Sequence, residues 1–141
     1  MPVRGLILAE SLLECAPMTR PTDLTPDDAT LQRLLDEARP GPIHLLNLLR
    51  FRRPGGREAF QRYAAVSGPL VVAAGGEPAV FGDAGTVLAG ESDWDMVIAM
   101  RFPDAERFVA MIRGATYQEQ AVPLRSEALE RTLWMAVQPQ A

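Results

Sequence analysis

Between Ile43 and Arg52 the chain reads Ile-His-Leu-Leu-Asn-Leu-Leu-Arg-Phe-Arg, with six of ten positions bulky and apolar, Asn47 in their midst and arginines only at the exit. Such a run predicts a strand covered on both faces, and a covered strand belongs at the centre of a sheet. A second strand is predicted over Trp94 to Phe102, where Trp94, Met96, Ile98, Met100 and Phe102 alternate with Asp95, Val97, Ala99 and Arg101. Leu129 to Val137 supplies a last one, carrying Leu133, Trp134, Met135 and Val137. Two short extended pieces, Ala79 to Phe81 and Thr86 to Ala89, flank Gly82-Asp83-Ala84-Gly85. They read either as the arms of a small hairpin or as one interrupted strand.

Helical spacing fills the intervals. Thr25-Pro26-Asp27-Asp28 predicts a helix start, with threonine as cap, proline in the first turn and two carboxylates against the positive end of the helix dipole. Leu31, Leu34, Leu35 and Ala38 form its apolar face, and Pro40-Gly41-Pro42 stops it. After the turn Arg52-Arg53-Pro54-Gly55-Gly56-Arg57, Phe60, Tyr63, Ala64, Ser67, Leu70 and Val71 share one helical face, which Pro69 should kink and Gly75-Gly76 should close. Pro103-Asp104 opens a helix with Phe108, Met111 and Ile112 inward and Gly114 at its end, and Tyr117 to Ala128 reads as wholly or partly helical, disturbed by Pro123.

The order is one helix, then strand-helix-strand-strand-helix-strand. That predicts an α+β chain: a ferredoxin-like βαββαβ sheet with an extra N-terminal helix and its helices on one face. The opposite face also needs cover, and a single chain of this length has nothing left to provide it. Residues 1–24 read as an N-terminal extension, with a short apolar and helix-like segment from Leu6 to Cys15, and residues 25–141 as one domain. Met18 is a second candidate start, since the sequence after it is self-sufficient.

Composition narrows the function classes. A chain of 141 residues, 48% hydrophobic and 23% charged, has a single-domain length and needs neither disulfides nor metal to fold. A net charge of −4 argues against nonspecific nucleic-acid binding. All 14 basic residues are arginine, which excludes lysine nucleophiles and Schiff bases. One cysteine and one histidine allow no internal disulfide and no Cys/His zinc site, leaving only an oxygen-ligand Mg²⁺ or Ca²⁺ site to consider; no metal and no cofactor is expected. The apolar run at Gly5 to Ala9 is too short for a signal or membrane segment, so a cytoplasmic protein without a membrane partner is expected. No P-loop, dinucleotide-binding glycine fingerprint or basic-aromatic stripe for RNA is present.

Several residues are candidates for chemistry. Asn47 costs about 1–3 kcal/mol if buried unpaired, so it either orients a ligand on a pocket floor or pairs with backbone or the arginine turn. Trp94 and Asp95 open a strand that can neighbour the first one, and period two lets only one of them face the side of Asn47. Trp94 serves a substrate platform, or the core or a dimer interface. Glu91, Asp93 and Asp95 offer a general base or hard-metal ligands, or form an ordinary polar turn. Arg50, Arg52, Arg53 and Arg57 surround a glycine turn before a helix N-terminus, a place for a carboxylate or phosphate or simply a solvated turn. Tyr63 and Tyr117 are hydrogen-bond donors over a pocket, or core residues. His44 alternates away from Asn47 and, without a nucleophile-elbow motif, reads as a satisfied strand histidine.

Asn47-Leu48-Leu49-Arg50-Phe51, Tyr63, Pro69-Leu70, Gly75-Gly76, Gly90-Glu91, Trp94-Asp95, Arg101-Phe102-Pro103, Met111, Tyr117 and Ala128-Leu129 resemble the DUF1330 family of the dimeric α/β-barrel superfamily. The resemblance spans about residues 42–139 and rests chiefly on the Asn-Leu-Leu-Arg-Phe and Gly-Glu-x-x-Trp-Asp elements. It implies a homodimer whose two sheets meet face to face as a dimeric α/β barrel. The family has no settled activity. Members usually carry a histidine before the arginine that precedes the last strand, whereas this chain has Leu124 ahead of Arg125.

By analogy of fold, the superfamily's cofactor-independent monooxygenases and isomerases imply an aromatic or acyl substrate in the cavity of each subunit. Asn47 and Trp94 are then the catalytic candidates, and Arg50, Tyr63, Glu91, Asp95, Tyr117 and Arg125 the ligand-binding ones. The competing reading is a noncatalytic homodimer that binds a metabolite or serves as a structural module. A dry cavity large enough for a ring and lined by Asn47, Tyr63 and Trp94 would favour the enzyme, and a filled one the module.

Overall fold

In the computed structural model, which describes residues 24–140, four strands form one antiparallel sheet in the order β2-β3-β1-β4. In chain order the elements are α1 (Asp28–Glu37), β1 (Ile43–Phe51), α2 (Gly56–Ala73), β2 (Glu77–Asp83), β3 (Met96–Phe102), α3 (Ala105–Arg113), a single π-helical turn (Tyr117–Ala121), α4 (Val122–Ala128) and β4 (Leu129–Val137). The strand order and the two strand-helix-strand units are those of a ferredoxin-like fold, preceded by the extra helix α1. The segment Leu6 to Cys15, the alternative start at Met18 and nearly all of the expected extension lie outside the described residues. Among the described residues no helix is long and apolar enough to cross a membrane.

Strand β1 is central, paired with β3 on one side and β4 on the other. Its cover is one-sided, however. Ile43, Leu45, Asn47, Leu49 and Phe51 are buried beneath the helices, whereas His44, Leu46, Leu48 and Arg50 alternate onto a half-exposed face. The continuous apolar run therefore corresponds to one buried face and one apolar face that the described residues leave half-exposed. Val97 and Ala99 of β3 and Leu133, Met135 and Val137 of β4 share that open face by register, and the three β4 residues are each more than 40% exposed.

Local chemistry explains most element boundaries. Asp104 caps α3 as expected, accepting from the Arg107 amide at 2.8 Å, but α1 is capped by Asp27, not Thr25, because the Asp27 carboxylate reaches the Thr30 amide at 2.9 Å. The end of α2 falls at Gly75-Gly76. Gly75 takes φ +81°, and the amides of Gly75 and Gly76 return to the carbonyls of Val72 and Val71. A Cβ on Gly76 would stand 2.8 Å from the Phe102 ring, so the closure also needs this glycine for the chain to pass β3.

Two strand expectations change. Thr86 to Ala89 is not a strand: β2 takes its ladder from β3, so the hairpin closes through a long loop rather than through Gly82 to Gly85. Strand β3 begins at Met96 rather than Trp94, since the loop leaves the sheet at Asp95, whose amide still reaches the Leu49 carbonyl at 2.7 Å.

Candidate functional site

Between the helix-covered face of the sheet and helices α2 and α3 lies a cavity of about 350 Å³. Asn47 and Ile98 contribute to its floor, Tyr63, Ser67 and Gly68 of α2 to one wall, and Phe108 and Trp134 to the other. Its rim includes Val72 and Phe81, which are 73% and 57% exposed, so the mouth opens between α2 and the edge strand β2. A larger recess of about 580 Å³ lies between α1 and β4 and shares Leu45, Phe108 and Trp134 as a partition. Among the described residues, the lining of the 350 Å³ cavity is almost wholly apolar and contains no carboxylate, imidazole or thiol.

Behind the polar corner of this cavity sits Arg125, with no exposed surface. Its Nε donates to the Leu24 carbonyl at 2.6 Å, and its Nη2 lies 3.3 Å from both the Asn47 Oδ1 and the Thr132 hydroxyl. Its Nη1 has no hydrogen-bond partner among the described residues. The guanidinium packs 4.2 Å from the centre of the Trp134 ring and 5.5 Å from that of Tyr63. Because arginine only donates, the Asn47 atom it meets must be the carboxamide oxygen, which also lies 2.8 Å from the Thr132 hydroxyl and shares that group's one proton with the Leu48 carbonyl at 2.7 Å. The Asn47 Nδ2 is thereby turned away from Arg125, and it makes no hydrogen bond among the described residues.

Tyr63 and Tyr117 complete the cluster, their hydroxyls 2.7 Å apart and their rings edge to face. Burial pushes the Tyr117 phenol well above its ordinary value; the neighbouring Tyr63 adds to this and the Arg125 charge opposes it. Tyr117 is thus a neutral phenol rather than a base near neutral pH.

The fold therefore brings together four of the residues singled out from sequence: Asn47, Tyr63, Tyr117 and Arg125. Trp94, Asp95 and Arg50 stand elsewhere, in an ion-paired network at the start of β3 and the end of β1. Arg53 holds the Asp95 carboxylate at 2.7 Å, and the Phe51 amide donates to its other oxygen at 2.9 Å. Partial burial raises the Asp95 pKa, but these two donors outweigh it and leave the carboxyl below its ordinary value. Arg50 donates to the Asp93 carbonyl at 2.7 Å, and Arg131 pairs with Asp93 while covering the Trp94 ring at 4.5 Å. That hydrogen bond from Arg131 is the main reason the Asp93 carboxyl also lies low. Glu91 is exposed on the same loop. None of Trp94, Asp95, Arg50 and Glu91 lines the cavity.

Sequence reasoning passed over Trp134 and Thr132 as site residues. Both reach Asn47 only through the β1–β4 register, which sets Trp134 directly opposite Asn47. The burial of Arg125 had a local sign: Tyr117, Ala121, Arg125 and Ala128 recur at helical spacing, and all four are buried.

A family model described as "Domain of unknown function (DUF1330)" matches residues 53–138. A crystal structure of the RPA0582 protein of unknown function from Rhodopseudomonas palustris is 31% identical, with a TM-score of 0.74 over 84% of this chain and 97% of that one. A structure of methylated RPA0582 protein is 32% identical, with a TM-score of 0.75 over 84% and 95%. No curated protein matches the chain.

Proposed function

Since this chain belongs to the DUF1330 family, whose description assigns no activity, we propose from the cavity itself that the protein binds a small aromatic or acyl metabolite between sheet and helices. One observation carries this reading: an apolar cavity of about 350 Å³ remains open beside a single polar corner, where the Asn47 amide nitrogen has no partner among the described residues. That volume lies within the range of small-molecule sites, and an apolar cavity of roughly 150 Å³ already holds a benzene ring. Asn47 orients the ligand by donating to one of its oxygens, Tyr63 and Trp134 hold its ring, and Tyr117 and Arg125 act from behind them. The lining offers no ordinary general base, which favours binding over proton abstraction by a side chain.

A second reading is catalysis without a cofactor, as a monooxygenase or isomerase in which the substrate supplies its own reactive anion. The apolar lining, with Asn47 and Tyr63 in it and room for a ring, favours it, while Trp94 stands outside the cavity and weighs against it. In both readings two copies associate through the open sheet face, whose Leu133, Met135 and Val137 form an apolar patch that a second sheet would cover.

Gly68 provides the test. It lines the cavity, and a Cβ added there meets nothing within 4 Å, so Gly68→Leu projects into open space and also removes a helix-interior glycine. Naphthols, quinols and acyl esters are titrated against both proteins by thermal shift. The wild type is expected to melt higher with ligand, by an amount that grows as RT ln(1 + [L]/Kd), while Gly68→Leu folds and shows no shift. Equal shifts in both proteins would place the ligand elsewhere.

A further inference from the structure

Arg125 is a buried cation whose acceptors among the described residues are all neutral: a carbonyl, a carboxamide oxygen and a hydroxyl. Among the described residues no carboxylate forms an ion pair with it. A charge fully out of water without a counter-charge is costly, and among the described residues one guanidinium nitrogen also lacks any acceptor. The open volume lies on the far side of Asn47, Tyr63 and Trp134, all of which touch both the guanidinium and the cavity. The remaining ionisable groups here are Tyr63 on α2 and Tyr117 on the π turn. Arg33 and Glu37 of α1 line the recess beyond Trp134, and no charged side chain of any strand lines the cavity.

We infer that the ligand of this cavity is a phenol or enol held as its oxyanion, with Arg125 as counter-charge and Asn47 as the donor between them; this rests on the cavity being a ligand site. Asn47 suits that position because its oxygen is drawn by Arg125 and Thr132, which polarises the amide and strengthens its nitrogen as a donor. The Asn47 amide nitrogen and the Ser67 and Tyr63 hydroxyls are the few polar groups of an otherwise apolar lining, which suits one anionic oxygen on an apolar ring. The sign of the effect is diagnostic. Apolar burial alone raises the pKa of a bound phenol, whereas a unit positive charge within about 7 Å, at an effective dielectric near 20, lowers it by roughly one to two units.

The probe is 4-nitrophenol, strongly coloured as the phenolate, with 4-nitroanisole, one methyl group larger, as an ether that cannot ionise. Bound to the wild-type protein, 4-nitrophenol is expected to titrate about one unit or more below its free value, and 4-nitroanisole to bind at least about tenfold more weakly above that pKa. Asn47→Asp places a fixed carboxylate against Arg125, and the phenolate preference, read as the ratio of the two probes' affinities and as the pKa of any bound 4-nitrophenol, is expected to disappear. A bound pKa at or above the free value, with both probes binding alike, overturns the oxyanion inference and leaves the cavity reading standing. A lowered pKa that survives in Asn47→Asp overturns the role given to Arg125. Binding of neither probe to the wild type, or equal binding to Gly68→Leu, overturns the cavity reading and the inference with it.

Discussion

Replacing Asn47 separates two accounts of why a carboxamide sits under a central strand. Its oxygen accepts from Thr132 and from the buried guanidinium of Arg125. In Asn47→Leu the volume is roughly kept and both acceptances are lost. Thr132 still has the Leu48 carbonyl at 2.7 Å, so its hydroxyl stays satisfied. Arg125 does not recover: Nη1 already lacks a partner, and Nη2 keeps only the Thr132 hydroxyl at 3.3 Å. A hydrogen bond removed from a buried charged donor costs about 1.5–3 kcal/mol, so Asn47→Leu is expected to lose about 2 kcal/mol. For a domain of this size that lowers Tm by about 8 °C. Asn47→Ala loses the same bonds and adds a cavity term, bringing the loss to about 3 kcal/mol. Urea titrations of the three proteins, compared at equal m-value, measure both numbers. Were Asn47→Leu within about 0.5 kcal/mol of wild type, Arg125 would not depend on this oxygen, and the polarised amide invoked for ligand binding would have no basis.

Tyr117 makes stability fall on the alkaline side. Its folded-state pKa is raised, so the contribution is complete below the ordinary phenol value of about 10 and is lost as pH rises past it. The chain has only two tyrosines, and they are bonded to each other, so ultraviolet titration reads this pair directly. Tyr117 is expected to ionise only as the protein unfolds, and Tyr117→Phe to flatten the alkaline dependence; two phenolate steps near the ordinary value in a folded protein would contradict this. On the open sheet face, Leu133→Glu introduces a charge into the apolar patch, and sedimentation velocity is expected to show a dimer for the wild type and a monomer for the variant. A wild type that is monomeric at micromolar concentration refutes the sheet-to-sheet pairing.

Much of the architecture was legible along the chain because its causes are local. Asp104 caps α3, Gly75-Gly76 ends α2, and the bounds of β4 match the expected Leu129 to Val137. The arrangement around Asn47 was legible only in part. Asn47 stood out because an amide in an apolar strand needs partners, but neither spacing nor composition named Thr132 and Arg125 as those partners. Trp94 and Trp134 are both tryptophans on strand-like segments, and the sequence favoured the wrong neighbour for Asn47 where cavity lining is concerned. The reason is that β3 begins two residues after Trp94, while the antiparallel register of β4 sets Trp134 across from Asn47. Register between distant strands is a cooperative outcome of the whole sheet, written in no window of a few residues. Arg125 is the same case in electrostatic form. An arginine near a helix end is ordinarily solvated, and only the packing of α4 against α2 and the sheet removes this one from water. Periodicity and capping thus determined which elements exist, in what order and, at Arg125, which helical face is buried; tertiary packing decided which partners the buried polar groups meet, and so where a ligand has reason to bind.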